Sequence, residues 1–311
     1  MTTNTQSNVL PESPLESQAI APAVISPARR MYWSVRRELW EYRSIYVAPL
    51  AVAAVFLFGF LIGIITLPGH RMRAVLALAP AQQREAIAMP YNIAAGLIMA
   101  STFIVGLYYC LEALQGERRD RSILFWKSLP VSDLTTVLAK ASIPLVVLQL
   151  LTIATILATH WIMLLLSSAV LLGSGLNVAT LWTQLSLSQM SLMLAYHLVT
   201  VHALWYAPIY AWLLLVSGWA RRAAFLWAVL PPLAIGVVEK IAFNTTHFAA
   251  WLAYRFSGPQ AFAFPGSVPM DPMTTLALGK FLSTPGLWIG LVAAAAFLAV
   301  AVRLRRYQGP I

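Results

Sequence analysis

Residues 117–140, ERRDRSILFWKSLPVSDLTTVLAK, decide how the chain is organised, because they form its longest densely charged run. They hold five of the 21 basic residues and three of the 11 acidic residues. Mostly apolar stretches lie on both sides, at about 91–114 and 143–166. A stretch of about 20 apolar residues is long enough to cross a bilayer as a helix. The pattern therefore predicts a charged loop that joins two membrane-spanning helices.

The composition of the whole chain favours a membrane protein over a soluble one. Of its 311 residues, 59% are hydrophobic and 10% are charged, and the mean hydropathy is +0.73. A soluble domain carries about 25% charged residues. The net charge of +10 comes from basic residues in short segments beside apolar stretches. There they meet anionic lipid headgroups, so the charge does not predict nucleic-acid binding.

Six apolar stretches predict an all-α membrane protein with six transmembrane helices. The predicted spans are about residues 47–67, 91–114, 143–166, 191–217, 223–243 and 285–302. We expect residues 29–306 to form a single transmembrane domain. Residues 1–28 contain four prolines and no Lys or Arg, so they predict a disordered tail rather than a signal peptide. Residues 307–311 form a short C-terminal tail.

The distribution of basic residues predicts the orientation of these spans. If the N-terminus is cytoplasmic, 15 of the 21 Lys and Arg residues fall on the cytoplasmic side. Cytoplasmic loops carry an excess of Lys and Arg, so both termini and the charged loop are predicted to be cytoplasmic. Residues 70–90 then form a short outer loop. Pro231-Pro232 are expected to break the fifth span.

A helical period over residues 30–46, RMYWSVRRELWEYRSIY, predicts an interfacial amphipathic helix before the first span. Its apolar stripe contains Tyr32, Val35 and Leu39, flanked by Trp33 and Trp40. We expect the opposite face, with Arg37 and Glu38 among its residues, to lie in water. The alternative is a plain extension of the first span.

The segment 244–284 is too long for a turn and too apolar for an ordinary outer loop. THFAAWLAYRF predicts one short helix, and Asp271-Pro272 predicts the N-cap of a second, MTTLALGKFLS. Together they indicate an extracytoplasmic re-entrant hairpin between helices 5 and 6, which must be covered by protein or line a cavity. The alternative is two helices that lie flat on the membrane surface.

The sequence contains no recognisable catalytic, metal or nucleotide motif; HExxH, GxSxG and the P-loop are all missing. His197 and His202 are five residues apart, about 140° around an α-helix, so we expect them on different faces. Glu239 lies at the outer end of the fifth span. Two interpretations are open: Glu239 forms part of a gate, or its side chain only extends to the membrane interface. Trp205, Tyr206 and Tyr210 in the aromatic-rich fourth span are predicted to line a substrate path.

Within the charged loop, Glu117 and Arg121 have the i,i+4 spacing of a stabilising helical pair. Apolar residues between 123 and 126 give that helix an apolar side, and Pro130 is expected to end it. Ser132 predicts the N-cap of the next helix, which rises through Lys140 into the third span. An aromatic cytoplasmic helix of this kind favours docking into a hydrophobic groove of a soluble partner. The alternative is a loop that only sets topology.

The run ERRDRSILFWKSLPVS, residues 117–132, resembles the signature of ABC-2-type ABC transporter permeases. In that family a segment of the form Glu…Asp-Arg-Ser…Phe-Trp-Lys-Ser-Leu-Pro-Val-Ser joins spans two and three. The six-span layout, the amphipathic helix before the first span and the outer helices before the last span are similar over about residues 30–306. The tail of residues 1–28 lies outside the resemblance.

The resemblance implies the membrane subunit of an exporter in the bacterial inner membrane, with Mg-ATP bound by a separate ATPase subunit and no catalysis or cofactor in this chain. It implies a coupling helix that contacts the ATPase through Glu117, Arg118, Arg119, Asp120, Arg121, Ile123, Leu124, Phe125, Trp126 and Lys127. The connecting helix beside it would be formed by Tyr32, Trp33, Val35, Leu39 and Trp40. The further partners are membrane lipids and a second permease protomer, in a homodimer or a heterodimer. The alternatives are an ATP-independent channel or secondary transporter and, with few acids to support it, an intramembrane enzyme.

Overall fold

The computed structural model describes residues 26–66, 78–128, 131–173, 175, 178–257 and 277–307. Within these ranges all regular structure is helical. The α-helices are α1 (Pro27–Glu41), α2 (Ser44–Thr66), α3 (Pro80–Glu112), α4 (Gln115–Arg119), α5 (Ser122–Ser128), α6 (Asp133–Ser142), α7 (Leu148–Gly173), α8 (Ala179–Gln184), α9 (Leu187–His197), α10 (Ala207–Trp219), α11 (Ala224–Phe243), α12 (His247–Ser257), α13 (Ala277–Leu282) and α14 (Pro285–Tyr307). Two π-helical segments, Ile143–Val147 and Leu198–Trp205, join α6 to α7 and α9 to α10.

The described part of the chain contains five helical stretches long and apolar enough to cross a membrane. They are Ser44–Thr66, Gln82–Arg119, Asp133–Gly173, Ala224–Phe243 and Pro285–Tyr307. A sixth is present if Leu181–Trp205 and Ala207–Trp219, which meet at an angle of 44°, count as one bent span. The prediction of an all-α protein with several apolar helices of membrane-spanning length is therefore confirmed.

The outer surfaces of α2 and α11 are apolar and exposed. Val55 on α2 is 74% exposed and Ile241 on α11 is 79% exposed. The core lies instead where α3, the start of α7 and α10 meet, around Tyr109, Leu148 and Tyr210. Water would disfavour such large exposed apolar faces, so their natural surroundings are lipid or another apolar protein surface.

Two predicted boundaries are wrong. The expected loop 70–90 is helical from Pro80 onward, because proline at the first helical position is followed by good helix formers. The expected break at Pro231-Pro232 is also absent, and α11 runs unbroken from Ala224 to Phe243. Pro232 has no N–H to donate to the carbonyl of Ala228, four residues earlier. The indole Nε1 of Trp212 donates to that carbonyl at 3.1 Å instead.

The placement of the two histidines also differs from the prediction. His197 ends α9, and His202 lies within the π-helical segment Leu198–Trp205. Because a π-helix has i→i+5 hydrogen bonds, it brings residues five apart onto one side. The two imidazole centroids are 5.6 Å apart. The α-helical angle of about 140° therefore does not apply here.

The segment before the last long helix is described only in part. α12, His247–Ser257, confirms the helix predicted from THFAAWLAYRF. α13, Ala277–Leu282, falls within the predicted helix MTTLALGKFLS. The predicted N-cap at Asp271-Pro272 lies outside the described residues.

Candidate functional site

Five charged side chains from four helices meet at one end of the helix bundle. They are Arg37 and Glu38 of α1, Glu117 of α4, Lys140 of α6 and Arg305 of α14, and we call them the buried charge cluster. Glu38 and Lys140 are fully buried and Glu117 is 1% exposed. A buried ion is costly unless it is paired, so these contacts hold the four helices together.

Glu117 is the centre of the cluster. Its Oε1 lies 2.8 Å from an Arg37 guanidinium nitrogen and 3.0 Å from the Lys140 ammonium nitrogen. Its Oε2 accepts a hydrogen bond from Arg305. Arg305 also lies 3.2 Å from Asp133 Oδ1, at the start of α6. This carboxylate therefore joins α4 to α1, α6 and α14 at the same time.

Glu38 is the second acceptor of the cluster. The Lys140 ammonium donates to both of its carboxylate oxygens, at 2.9 and 3.0 Å, and the Tyr109 hydroxyl donates at 2.9 Å. Burial acts to raise the pKa of Glu38, but Lys140 and Arg37 outweigh burial and hold this pKa below its ordinary value. Glu38 is therefore ionised at neutral pH.

This placement corrects the predicted orientation of α1. Val35 and Leu39 pack against the core as expected, and Trp33 and Trp40 are exposed. The face with Glu38, which we expected in water, instead points into the bundle. The helical period of α1 could not reveal this, because Lys140 lies 102 residues further along the chain.

The charged loop forms two short helices rather than the single helix predicted. α4 ends at Arg119, Arg121 adopts a left-handed backbone conformation with φ of 58°, and α5 begins at Ser122. The predicted Glu117–Arg121 pair is therefore wrong, because Glu117 is turned into the buried charge cluster. The break separates α4, which faces the bundle, from α5, which buries Ile123 and exposes Leu124 and Phe125.

A second set of contacts fixes α4 to the end of α10. The backbone N–H groups of Leu114 and Gln115 donate to the Ser217 hydroxyl oxygen at 3.0 and 2.9 Å. The Arg118 guanidinium donates to the carbonyl of Gly218 at 2.7 Å. These bonds satisfy polar backbone groups at a helix start and a helix end, where they have no partner within the helix.

The ten residues of the predicted coupling helix fall into two groups. Glu117, Arg118 and Ile123 are buried within the chain, and Trp126 is half-buried with the Arg37 guanidinium 4.1 Å from its ring centre. The exposed residues are Arg119, Asp120, Arg121, Leu124, Phe125 and Lys127. Leu124 and Phe125 are 59% and 60% exposed and give α5 an apolar outer face.

The chain after α5 follows the prediction where it is described. Pro130 lies outside the described residues. Ser132 caps α6, because its hydroxyl accepts the N–H of Thr135 at 3.1 Å. α6 then continues through the π-helical segment Ile143–Val147 into α7. The Ser132 N-cap and the helix that rises through Lys140 are confirmed.

Three of the four residues predicted as a gate or lining have structural contacts at the end of the bundle opposite the buried charge cluster. The Glu239 carboxylate accepts hydrogen bonds from the N–H groups of His247 and Phe248, at 2.7 and 2.8 Å, and so caps α12. Trp205 and Tyr206 donate to the carbonyls of residues 255 and 256, at the end of α12, both at 2.9 Å. Trp205 and Tyr210 are buried within the chain.

Glu117 stands out in the sequence as part of the charged loop, but its pairing with Lys140 and Arg305 does not. Lys140 and Arg305 lie in or at the end of long apolar helices, where a charged side chain normally marks a buried contact or a functional site. That signal was present in the sequence. The pairing was not, because Arg305 is 188 residues from Glu117. A comparison with protein-family models, curated proteins and solved structures finds no match to the chain.

Proposed function

We propose that the chain is the membrane subunit of an ABC-2-type exporter in the bacterial inner membrane. The buried charge cluster and both termini would then be cytoplasmic, with six spans in the membrane. The observation that carries the proposal is an exposed apolar helix, α5, joined to a short helix that is ion-paired to the bundle. The resemblance of residues 117–132 to the family signature supports the same assignment.

In this proposal α5 docks into a groove of a separate ATPase. Leu124 and Phe125 supply the apolar contact, and the exposed charges around them fix the register. ATP binding and hydrolysis in the partner displace α5. The sequence of this chain contains no P-loop. In this proposal the energy for transport therefore comes from a separate subunit that binds Mg-ATP.

The displacement passes from α5 to α4 and from there into the bundle. Glu117 connects α4 with α1, α6 and α14, and Ser217 connects it with the end of α10. Since separating a buried ion pair is costly, these helices respond together rather than one at a time. A single movement at the cytoplasmic surface therefore reaches several predicted spans.

The complete transporter in this proposal contains two permease protomers and two ATPase subunits. The exposed apolar faces of α2 and α11 are available to a second protomer and to lipid. The cargo crosses at the interface between protomers, and switching between inward- and outward-facing states moves it. The second protomer can be a copy of this chain or a different permease chain.

Replacing both apolar residues of α5, Leu124→Ser with Phe125→Ser, is expected to reduce co-purification of the ATPase at least tenfold. Each side chain loses roughly 1.5–3 kcal/mol of burial in the docked complex. Both are exposed in the isolated chain, so its thermal unfolding in detergent stays unchanged. Ile65→Ser is the matched control, because Ile65 is 60% exposed on the far turn of α2. Unchanged association of the double variant would exclude α5 as the docking helix.

A further inference from the structure

A cleft of ≈ 430 Å³ lies beside the buried charge cluster, between the start of α2, the end of α3 and the start of α11. This volume is within the range of small-molecule sites, about 300–1,000 Å³. Its lining residues are Tyr42, Ser44, Tyr108, Tyr109, Leu111, Glu112, Gln115, Ala223, Ala224 and Phe225. Three tyrosines and one carboxylate in a single cleft are a chemical combination that suits a cation.

Two of the tyrosines form a corner. The ring centres of Tyr42 and Tyr109 are 5.0 Å apart, and the ring planes meet at 86°. Tyr108, which is 71% exposed, adds a third ring to the lining. The face of an aromatic ring carries negative charge density, and walls of several rings recognise organic ammonium groups.

The carboxylate of the cleft belongs to an ion pair that a ligand can replace. Glu112 lies 2.7 Å from Arg119, and their side chains are 39% and 60% exposed. An ion pair this exposed contributes little to stability. It places a negative and a positive group side by side. Arg119 also lies 3.2 Å from Asp120 Oδ1. A ligand with one ammonium and one phosphate group carries no net charge, so it adds none to this group of charges.

The cleft also adjoins surfaces suited to lipid. Phe225 in its lining is 63% exposed at the start of α11, a helix whose outer face is apolar. On the other side, the cleft is lined by Glu112 and by Gln115 at the start of α4. A boundary between an apolar helix surface and a charged end corresponds to the headgroup level of a bilayer.

We propose that this cleft binds the headgroup of a zwitterionic phospholipid from the adjoining leaflet. The ammonium group lies between the Glu112 carboxylate and the rings of Tyr42 and Tyr108. The phosphate takes the place of that carboxylate on Arg119, and the acyl chains run along α11. The site is complete within this chain and does not depend on the ATPase or on transport.

The test uses the purified full chain in detergent, without any ATPase. Phosphatidylethanolamine and phosphatidylglycerol with the same acyl chains are titrated separately, and thermal unfolding and retained lipid by native mass spectrometry are measured. Phosphatidylethanolamine is expected to bind at least tenfold more tightly and to raise the unfolding temperature. Soluble ethanolamine, as a third arm, is expected to compete only weakly because it lacks the phosphate and the chains.

Two variants locate the effect in the cleft. Glu112→Gln and Tyr108→Ala are each expected to weaken phosphatidylethanolamine binding about threefold, in line with the loss of an exposed charge contact or of an exposed cation–π contact. Tyr108 is largely exposed, so Tyr108→Ala keeps the fold and the test stands even if Glu112→Gln is unstable. Tyr32→Ala, exposed on α1, is the matched control. Equal binding of the two lipids, or Tyr108→Ala binding at the wild-type level, would overturn the proposal.

Discussion

Glu117→Gln is expected to cause a large loss of stability and, in the proposed transporter, of coupling to the ATPase. The glutamine keeps the size of the side chain but removes the charge shared by Arg37, Lys140 and Arg305. Breaking a buried ion pair by removing one partner costs about 3–5 kcal/mol. We expect a loss in this range in the free energy of unfolding in detergent. Transport-stimulated ATPase activity of the reconstituted complex is expected to fall at least tenfold, because α4 loses its connection to three helices.

Glu85→Gln is the matched control for this variant. It makes the same chemical change at an exposed position on α3, away from the buried charge cluster. Wild-type stability and coupling are expected there, since single surface substitutions stay within about 0.5 kcal/mol. If Glu117→Gln behaves like Glu85→Gln in both measurements, the cluster does not hold α4 in place.

Lys140→Met is expected to destabilise the chain by a similar amount, for the opposite reason. The Lys140 ammonium lies within 3.0 Å of Glu38 and of Glu117. Removing it leaves two buried carboxylates that repel each other, with Arg37 and Arg305 as their remaining cations in the cluster. We expect a loss of about 3–5 kcal/mol in the free energy of unfolding, or failure to accumulate in the membrane.

A second substitution distinguishes the loss of the Glu38–Lys140 ion pair from a simple packing defect. Adding Glu38→Gln to Lys140→Met removes one of the two carboxylates, so the double variant is expected to be more stable than Lys140→Met alone. The coupling energy between the two positions should be about 0.5–3 kcal/mol, as for residues in one ion-pair network. Strictly additive losses from the two substitutions would contradict the described network.

The class of the protein was readable from the sequence because it depends on local composition and length. Apolar stretches of about 20 residues predicted helices of membrane-spanning length, and the described chain contains them. Two local signals within the described residues were also correct. Ser132 caps α6, and α12 occupies the predicted segment.

Two of the failures share a physical cause, because each depends on a partner that is distant in sequence. Pro232 does not break α11, since Trp212 supplies the missing donor to the carbonyl of Ala228. Glu38 is not in water, since Lys140 and Tyr109 bind it inside the bundle. A helical period reports only which residues share a face, and not what that face meets.

The sequence singled out residues 117–127 but did not predict how they are arranged. The sequence indicated that residues 117–127 contact a soluble partner as one helix. The structure instead divides the run at the left-handed Arg121 into α4, which carries the buried Glu117, and α5. On α5, Ile123 is buried while Leu124 and Phe125 are exposed. The left-handed conformation of Arg121 is uncommon for a residue with a side chain, and nothing in the local pattern indicated it.

Docking of α5 on a separate ATPase is tested most directly by photo-crosslinking. A photo-crosslinking amino acid is placed at Phe125 of the full chain in its native cells. Mass spectrometry then identifies the captured protein. We expect capture of a chain that carries a P-loop ATP-binding motif, with a yield that changes when vanadate traps ADP in that chain. The same crosslinker at Ile65, on the far turn of α2, should not capture it. Capture of no P-loop ATPase at Phe125, or equal capture at both positions, would contradict docking of α5 on an ATPase.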